Sequence, residues 1–131
     1  MTFEQNMRDQ SSLDRPLRAP GVSIVVPMCN EQSSVDELLA RLREVADASP
    51  HAFEVICVND GSTDATWDKL VAWRSRWHEL RLVDLSRNFG KEIALMAGID
   101  HAKGGAVILM DGDLQHPPEL ITTFLEYWQR G

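Results

Sequence analysis

Apolar positions along the chain alternate between two rhythms. Val22–Pro27 (VSIVVP) is a β-branched apolar run closed by proline, which predicts a buried strand. Beyond it, Val35, Leu38, Leu39, Leu42, Val45 and Ala46 recur at helical spacing and predict an amphipathic helix. Ser34-Val-Asp-Glu37, just ahead, has the spacing of a capping box. Phe53–Val58 (FEVICV) predicts a second strand. Asn59–Asp64 (NDGSTD) supplies turn and helix-start chemistry for a helix through Trp67, Leu70, Val71 and Trp77. Leu80–Leu85 predicts a third, weaker strand, and Ser86–Gly90 a loop. Ile93–His101 predicts a short helix stopped by Gly104-Gly105. Ala106–Met110 carries no polar alternation, as in a buried fourth strand, and Pro118 opens a last helix toward Trp128.

Strands that alternate with helices in this way predict an α/β fold: a Rossmann-like, mostly parallel sheet with helices on both faces. In such sheets ligands bind beyond the carboxyl ends of the strands. The polar clusters fall there: Asn30-Glu31, Asn59-Asp60, Arg87, and Asp111 with Asp113. The 131 residues suffice for one domain with a real core. Residues 1–20 are polar, contain Pro16 and Pro20, and lack the apolar centre of a signal peptide. They are expected to form a flexible leader to a domain over 21–131.

Charge and cysteine content narrow the classes. A formal net charge of −7 with no basic cluster excludes a broad nucleic-acid-binding surface. Cys29 and Cys57 have no C-x-x-C spacing, which argues against a zinc site or disulfide framework and for a reducing, cytoplasmic compartment. No apolar run reaches the roughly 18 residues of a membrane span. The chain has no P-loop, no G-x-G-x-x-G after a strand and no G-x-S-x-G elbow.

Asp111-Gly112-Asp113 carries the chemistry that matters most. Two carboxylates about 5 Å apart repel by about 1 kcal/mol in water, and by more where solvent is reduced. A hard divalent cation, Mg²⁺ or Mn²⁺, would neutralise them, and Gly112 allows a turn that aims both side chains at one point. The simpler reading, an Asp capping the next turn, loses ground because the pair follows an apolar strand and is backed by Gln115 and His116. Asp60 sits at a strand end, where its carboxylate can accept ligand hydrogen bonds. Ser62, Thr63 and Asp64 read as turn and cap. Glu31 follows a strand but also suits the next helix's N-terminus. Arg87 and Lys91 flank Asn88-Phe89-Gly90 before a helix, where cations suit a phosphate. The tryptophans read as packing residues, and Cys57 as core.

The blocks VVPMCNE, VNDGSTD, SRNFGKE and MDGDLQHPPE, in this order and spacing, resemble the nucleotide-binding half of a family 2 glycosyltransferase of GT-A fold. The set most resembles the polyprenyl-phosphate type, that of dolichol-phosphate mannose synthase and undecaprenyl-phosphate sugar transferases. The resemblance runs from Val22 to Gly131. It implies a UDP- or GDP-linked sugar as donor, with Pro27, Cys29 and Glu31 holding the nucleoside and Asp60 the base. Asp111 would reach the ribose or the metal. Asp113, with Gln115, would hold Mg²⁺ or Mn²⁺ against the diphosphate, with Arg87 and Lys91 near the phosphates. No catalytic base is assigned; a lipid phosphate is already ionised near neutral pH. Cys29 stands where the family usually has tyrosine, which removes a ring that could stack on the base.

Family members continue well past this length, into the acceptor side and membrane-facing elements. The resemblance therefore implies a donor-binding part whose complete protein works at the cytoplasmic face of a membrane. Apolar surface left uncovered would favour self-association. Two other readings use the same residues: a non-catalytic nucleotide-sugar-binding module, and a D-x-D phosphotransferase of the haloacid dehalogenase type. The latter places its motif after the first strand, not the fourth.

Overall fold

A computed structural model describes residues 20–130. Four strands and four helices alternate: β1 (Val22–Met28), α1 (Val35–Ala48), β2 (Phe53–Asn59), α2 (Thr66–Arg74), β3 (Leu80–Asp84), α3 (Lys91–His101), β4 (Ala106–Leu109) and α4 (Leu120–Gln129). All pairings are parallel, in the order β3-β2-β1-β4. The leader expected for residues 1–20 lies, but for Pro20, outside the described residues.

Every residue of β1 and β2 is buried, the polar Ser23, Glu54 and Asn59 included, as befits the central strands of a doubly covered sheet. The period of two divides them between the faces. Val22, Ile24, Val26 and Met28 pack with Val55, Cys57 and Leu80 against Leu38, Leu39 and Leu42 of α1, Leu70 of α2, and Ile121 and Leu125 of α4. Val25, Ile56 and Val58 meet Ala94 of α3 on the other face. Helices thus cover both faces, three against one. Gly98 lets α3 approach closely: a Cβ there would lie 2.3 Å from Val25 Cγ1.

Several boundaries and contacts depart from the expectations. The strand expected to be buried on both sides is an edge strand. Val107 and Leu109 are 41% and 48% exposed, because β4 pairs only with β1 and no described helix covers that side. The capping box does not form. Ser34 precedes α1, but its hydroxyl donates to the carbonyls of Gly112 (2.8 Å) and Glu31 (3.2 Å), and no side chain caps the helix. Trp77 is buried but lies past the end of α2. The third helix starts at Lys91, two residues earlier than its apolar pattern suggests. Trp128, expected to be a packing residue, is 42% exposed, with its ring 5.6 Å from that of His51.

Candidate functional site

The carboxyl ends of β1 and β4 lie side by side, since Val25 pairs with Leu109 and Met110 N–H donates to the Val25 carbonyl (3.0 Å). The chain that leaves each strand therefore borders one opening. Pro27, Met28, Cys29, Glu31, Lys91, Asp111, Gly112, Asp113 and Gln115 line a cleft of about 230 Å³ there. Seven of the residues expected at the site meet in it: Pro27, Cys29, Glu31, Lys91, Asp111, Asp113 and Gln115. Asp60 and Arg87 are not on its wall.

The loop after β1 is held by the loop after β2. Asn30 N–H donates to Ser62 Oγ (2.9 Å), and Thr63 N–H donates back to Asn30 Oδ1 (2.8 Å). Glu31 N–H donates to Thr66 Oγ1 (2.9 Å), and Ala65 N–H to Gln32 Oε1 (2.9 Å). Asn30 takes φ 55°, a left-handed conformation that asparagine tolerates. Ser62, Thr63 and Asp64, expected to shape only their own turn, thus fix the backbone that presents Glu31. Ser34 ties the same loop to the Asp111–Asp113 turn through the Gly112 carbonyl. Gln115 N–H closes that turn on Asp113 Oδ1 (3.2 Å).

Asp60 is 3% exposed, and its carboxylate accepts the main-chain N–H groups of Phe89 (2.8 Å) and Gly90 (3.1 Å). It thereby places the segment that leads into Lys91. Asn88, which has no role in the sequence reading, donates through Nδ2 to the Asp60 carbonyl and to Cys29 Sγ, both at 3.2 Å. Its place inside SRNFGKE was the available signal. The Arg87 guanidinium stacks on the Phe89 ring, 4.7 Å from its centroid. His116 is exposed and does not line the cleft.

The electrostatics are those of an acidic pocket with one internal cation. Partial burial, then the charges of Asp113, Asp111 and Asp64, push the Glu31 carboxyl above its ordinary range. The Lys91 ammonium pairs with Asp111 Oδ1, and this partner holds its pKa up. Cys57, fully buried, has its thiol pushed up to about 12, which leaves it inert as a nucleophile.

The donors around Asp111 and Asp113 are carboxylate and amide oxygens, the set suited to Mg²⁺ or Mn²⁺. No three His, Cys, Asp or Glu side chains gather as a metal cage among the described residues. A cation here would complete its shell with water or ligand oxygens, which is how Mg²⁺ is usually held beside phosphates.

The acidic, loop-lined cleft lies at the carboxyl edge of a parallel sheet, the place where α/β sheets bind their ligands. Residues 23–131 match glycosyl transferase family 2, and the chain belongs to that family. It is 51% identical over 110 residues to an uncharacterised glycosyltransferase of Synechocystis sp., covering 84% of this chain and 35% of the relative. It is 42% identical over 110 residues to the bactoprenol glucosyl transferase of Shigella phage SfV, covering 84% and 36%. Among solved structures it resembles a mannosyltransferase of Pyrobaculum calidifontis in complex with GDP-Man and Mn²⁺. The TM-score is 0.71 and the identity 25%, over 98% of this chain and 39% of that one. The fold is that of the GT-A glycosyltransferases. The chain spans about a third of the length of the curated relatives it matches. No described helix is long and apolar enough to cross a membrane.

Proposed function

We propose that this chain is the donor-binding part of a glycosyltransferase. It takes a UDP- or GDP-linked sugar into the β1–β4 cleft. The complete protein transfers the sugar, with inversion, to a polyprenyl phosphate at the cytoplasmic face of a membrane. The observation that carries this reading is the convergence of Glu31, Asp111, Asp113 and Lys91 in one cleft at the carboxyl edge of the sheet. Supporting it are the bactoprenol glucosyl transferase relative, for the acceptor class, and the mannosyltransferase complex, for nucleotide sugar and metal.

The roles follow from position. Pro27, Cys29 and Glu31 border the nucleoside on a backbone fixed by the neighbouring loop. Asp60 is tied to that backbone through its N–H on the Met28 carbonyl and through Asn88; its oxygens keep lone pairs for a base N–H after accepting from Phe89 and Gly90. Asp111, Asp113 and Gln115 would hold Mg²⁺ or Mn²⁺. When bound, the cation supplies Lewis-acid stabilisation of the departing diphosphate. Lys91 adds fixed positive charge at the helix N-terminus, where phosphate oxygens are favoured. Arg87 lies near enough in sequence to join it. A phosphate acceptor attacks already ionised, so the chain need not provide a base. The apolar side chains exposed on β4 and α3 support self-association of this chain.

A thermal-shift screen of nucleotide sugars with and without Mn²⁺ tests this reading. A ligand that binds only the folded state at a hundredfold excess over its Kd adds about 2.7 kcal/mol. A rise confined to nucleotide sugars with metal present is expected; no rise with any of them would refute the reading.

A further inference from the structure

Lys91 is the one cation that lines the cleft among the described residues, and it is already engaged by Asp111. On the reading above, Asp111 is a ligand of the divalent cation, so cation and ammonium compete for one carboxylate. The Lys91 side chain is 61% exposed, on a stem of four methylenes that can swing without disturbing α3. Its backbone does not share that freedom, because Gly90 is fastened to Asp60.

A diphosphate in the cleft would offer the ammonium a second anionic partner beside the first. We propose that Lys91 couples the two ligands. Without nucleotide it occupies Asp111 and weakens metal binding; with nucleotide it transfers to the phosphates and frees Asp111 for the metal. The coupling is reciprocal, so metal strengthens nucleotide binding by the same factor. This inference rests on the donor-binding reading, but concerns Lys91 alone.

The test is Mn²⁺ binding by calorimetry, with and without saturating UDP or GDP, corrected for Mn²⁺ held by free nucleotide. In Lys91→Met, Mn²⁺ alone should bind about two- to fivefold more tightly, the worth of one exposed ion pair. Nucleotide should bind more weakly, and the metal–nucleotide coupling should shrink. Lys103→Met, with the same charge change before the start of β4, should leave Mn²⁺ affinity unchanged. Thermal melting verifies folding, and Lys91→Gln repeats the test with a polar neutral side chain. Unchanged or weaker Mn²⁺ binding in both Lys91 variants would overturn the inference, as would equal tightening in Lys103→Met. A wild-type chain that binds neither Mn²⁺ nor nucleotide would instead remove the donor-binding reading, and this inference with it.

Discussion

Replacing Asp60 by alanine should destabilise the fold as well as the site. Its carboxylate accepts two main-chain N–H groups, from Phe89 at 2.8 Å and Gly90 at 3.1 Å, and the residue is 3% exposed. A hydrogen bond to a charged group contributes about 1.5–3 kcal/mol. Water can reach the freed N–H groups in part, because Phe89 is 40% exposed. The expected loss is therefore about 2–4 kcal/mol, less than the sum of two full bonds. For a domain of this size that lowers Tm by about 6–15 °C. Asp60→Asn keeps one acceptor oxygen and should lose about half as much. Urea and thermal unfolding of both variants, in the absence of ligand, measure the effect. The loop that carries Lys91 loosens too, so nucleotide affinity should fall with stability. An alanine variant that melts with the wild type would show that these two bonds do not hold the loop.

Glu31→Gln should raise Tm near neutral pH. Burial and the charges of Asp113 and Asp111 hold the Glu31 carboxyl above the ordinary carboxylate range, so through that window the folded chain binds more protons than the unfolded. Stability then falls as pH rises through that window, and the glutamine variant escapes the loss. The gain should vanish below the ordinary carboxylate range; a constant gain at all pH values would refute the cause. Gly98→Ala adds a Cβ 2.3 Å from Val25 Cγ1, an overpacking cost of about 1–3 kcal/mol that exceeds the gain in helix propensity of about 1 kcal/mol. Chemical denaturation should show net destabilisation, and a more stable variant would mean that α3 retreats freely. Glu54, 5% exposed, accepts from Ser23 Oγ (2.5 Å), Lys103 N–H (2.7 Å) and Arg81 (3.1 Å). Glu54→Ala should cost about 3 kcal/mol of unfolding free energy, and a loss below about 1 kcal/mol would contradict the network.

The fold was legible because its signals are local. The runs VSIVVP and FEVICV are dominated by β-branched and apolar residues, each with one polar position, and the α1 stripe repeats for three turns, so strand and helix are fixed by short-range pattern. The strand-end loops were legible for a related reason: a parallel sheet brings all such ends to one edge. What escaped depends on long-range arrangement. The exposure of Val107 and Leu109 follows from the sheet order, which leaves β4 at an edge, and AVIL alone does not encode that order. Ser34 has the right neighbours for a capping box, yet its hydroxyl finds the Gly112 carbonyl instead. The part Asp60 plays in holding the loop was not legible, because its partners, Phe89 and Gly90, lie on the next loop but one. The Lys91–Asp111 pair joins a helix start to a strand end that only the fold makes neighbours.

The central claim is that Asp111 and Asp113 hold a divalent cation against a nucleoside diphosphate. Calorimetric titration of UDP and GDP into the wild-type chain and Asp113→Asn, each with Mn²⁺ and with a chelator, tests it most directly. At least one nucleotide should bind the wild type with Mn²⁺. Chelation and Asp113→Asn should each weaken that binding by about tenfold, the worth of a charge-assisted contact of about 1.5 kcal/mol. Equal affinity with and without Mn²⁺, or an Asp113→Asn variant that binds as the wild type does, would contradict the claim.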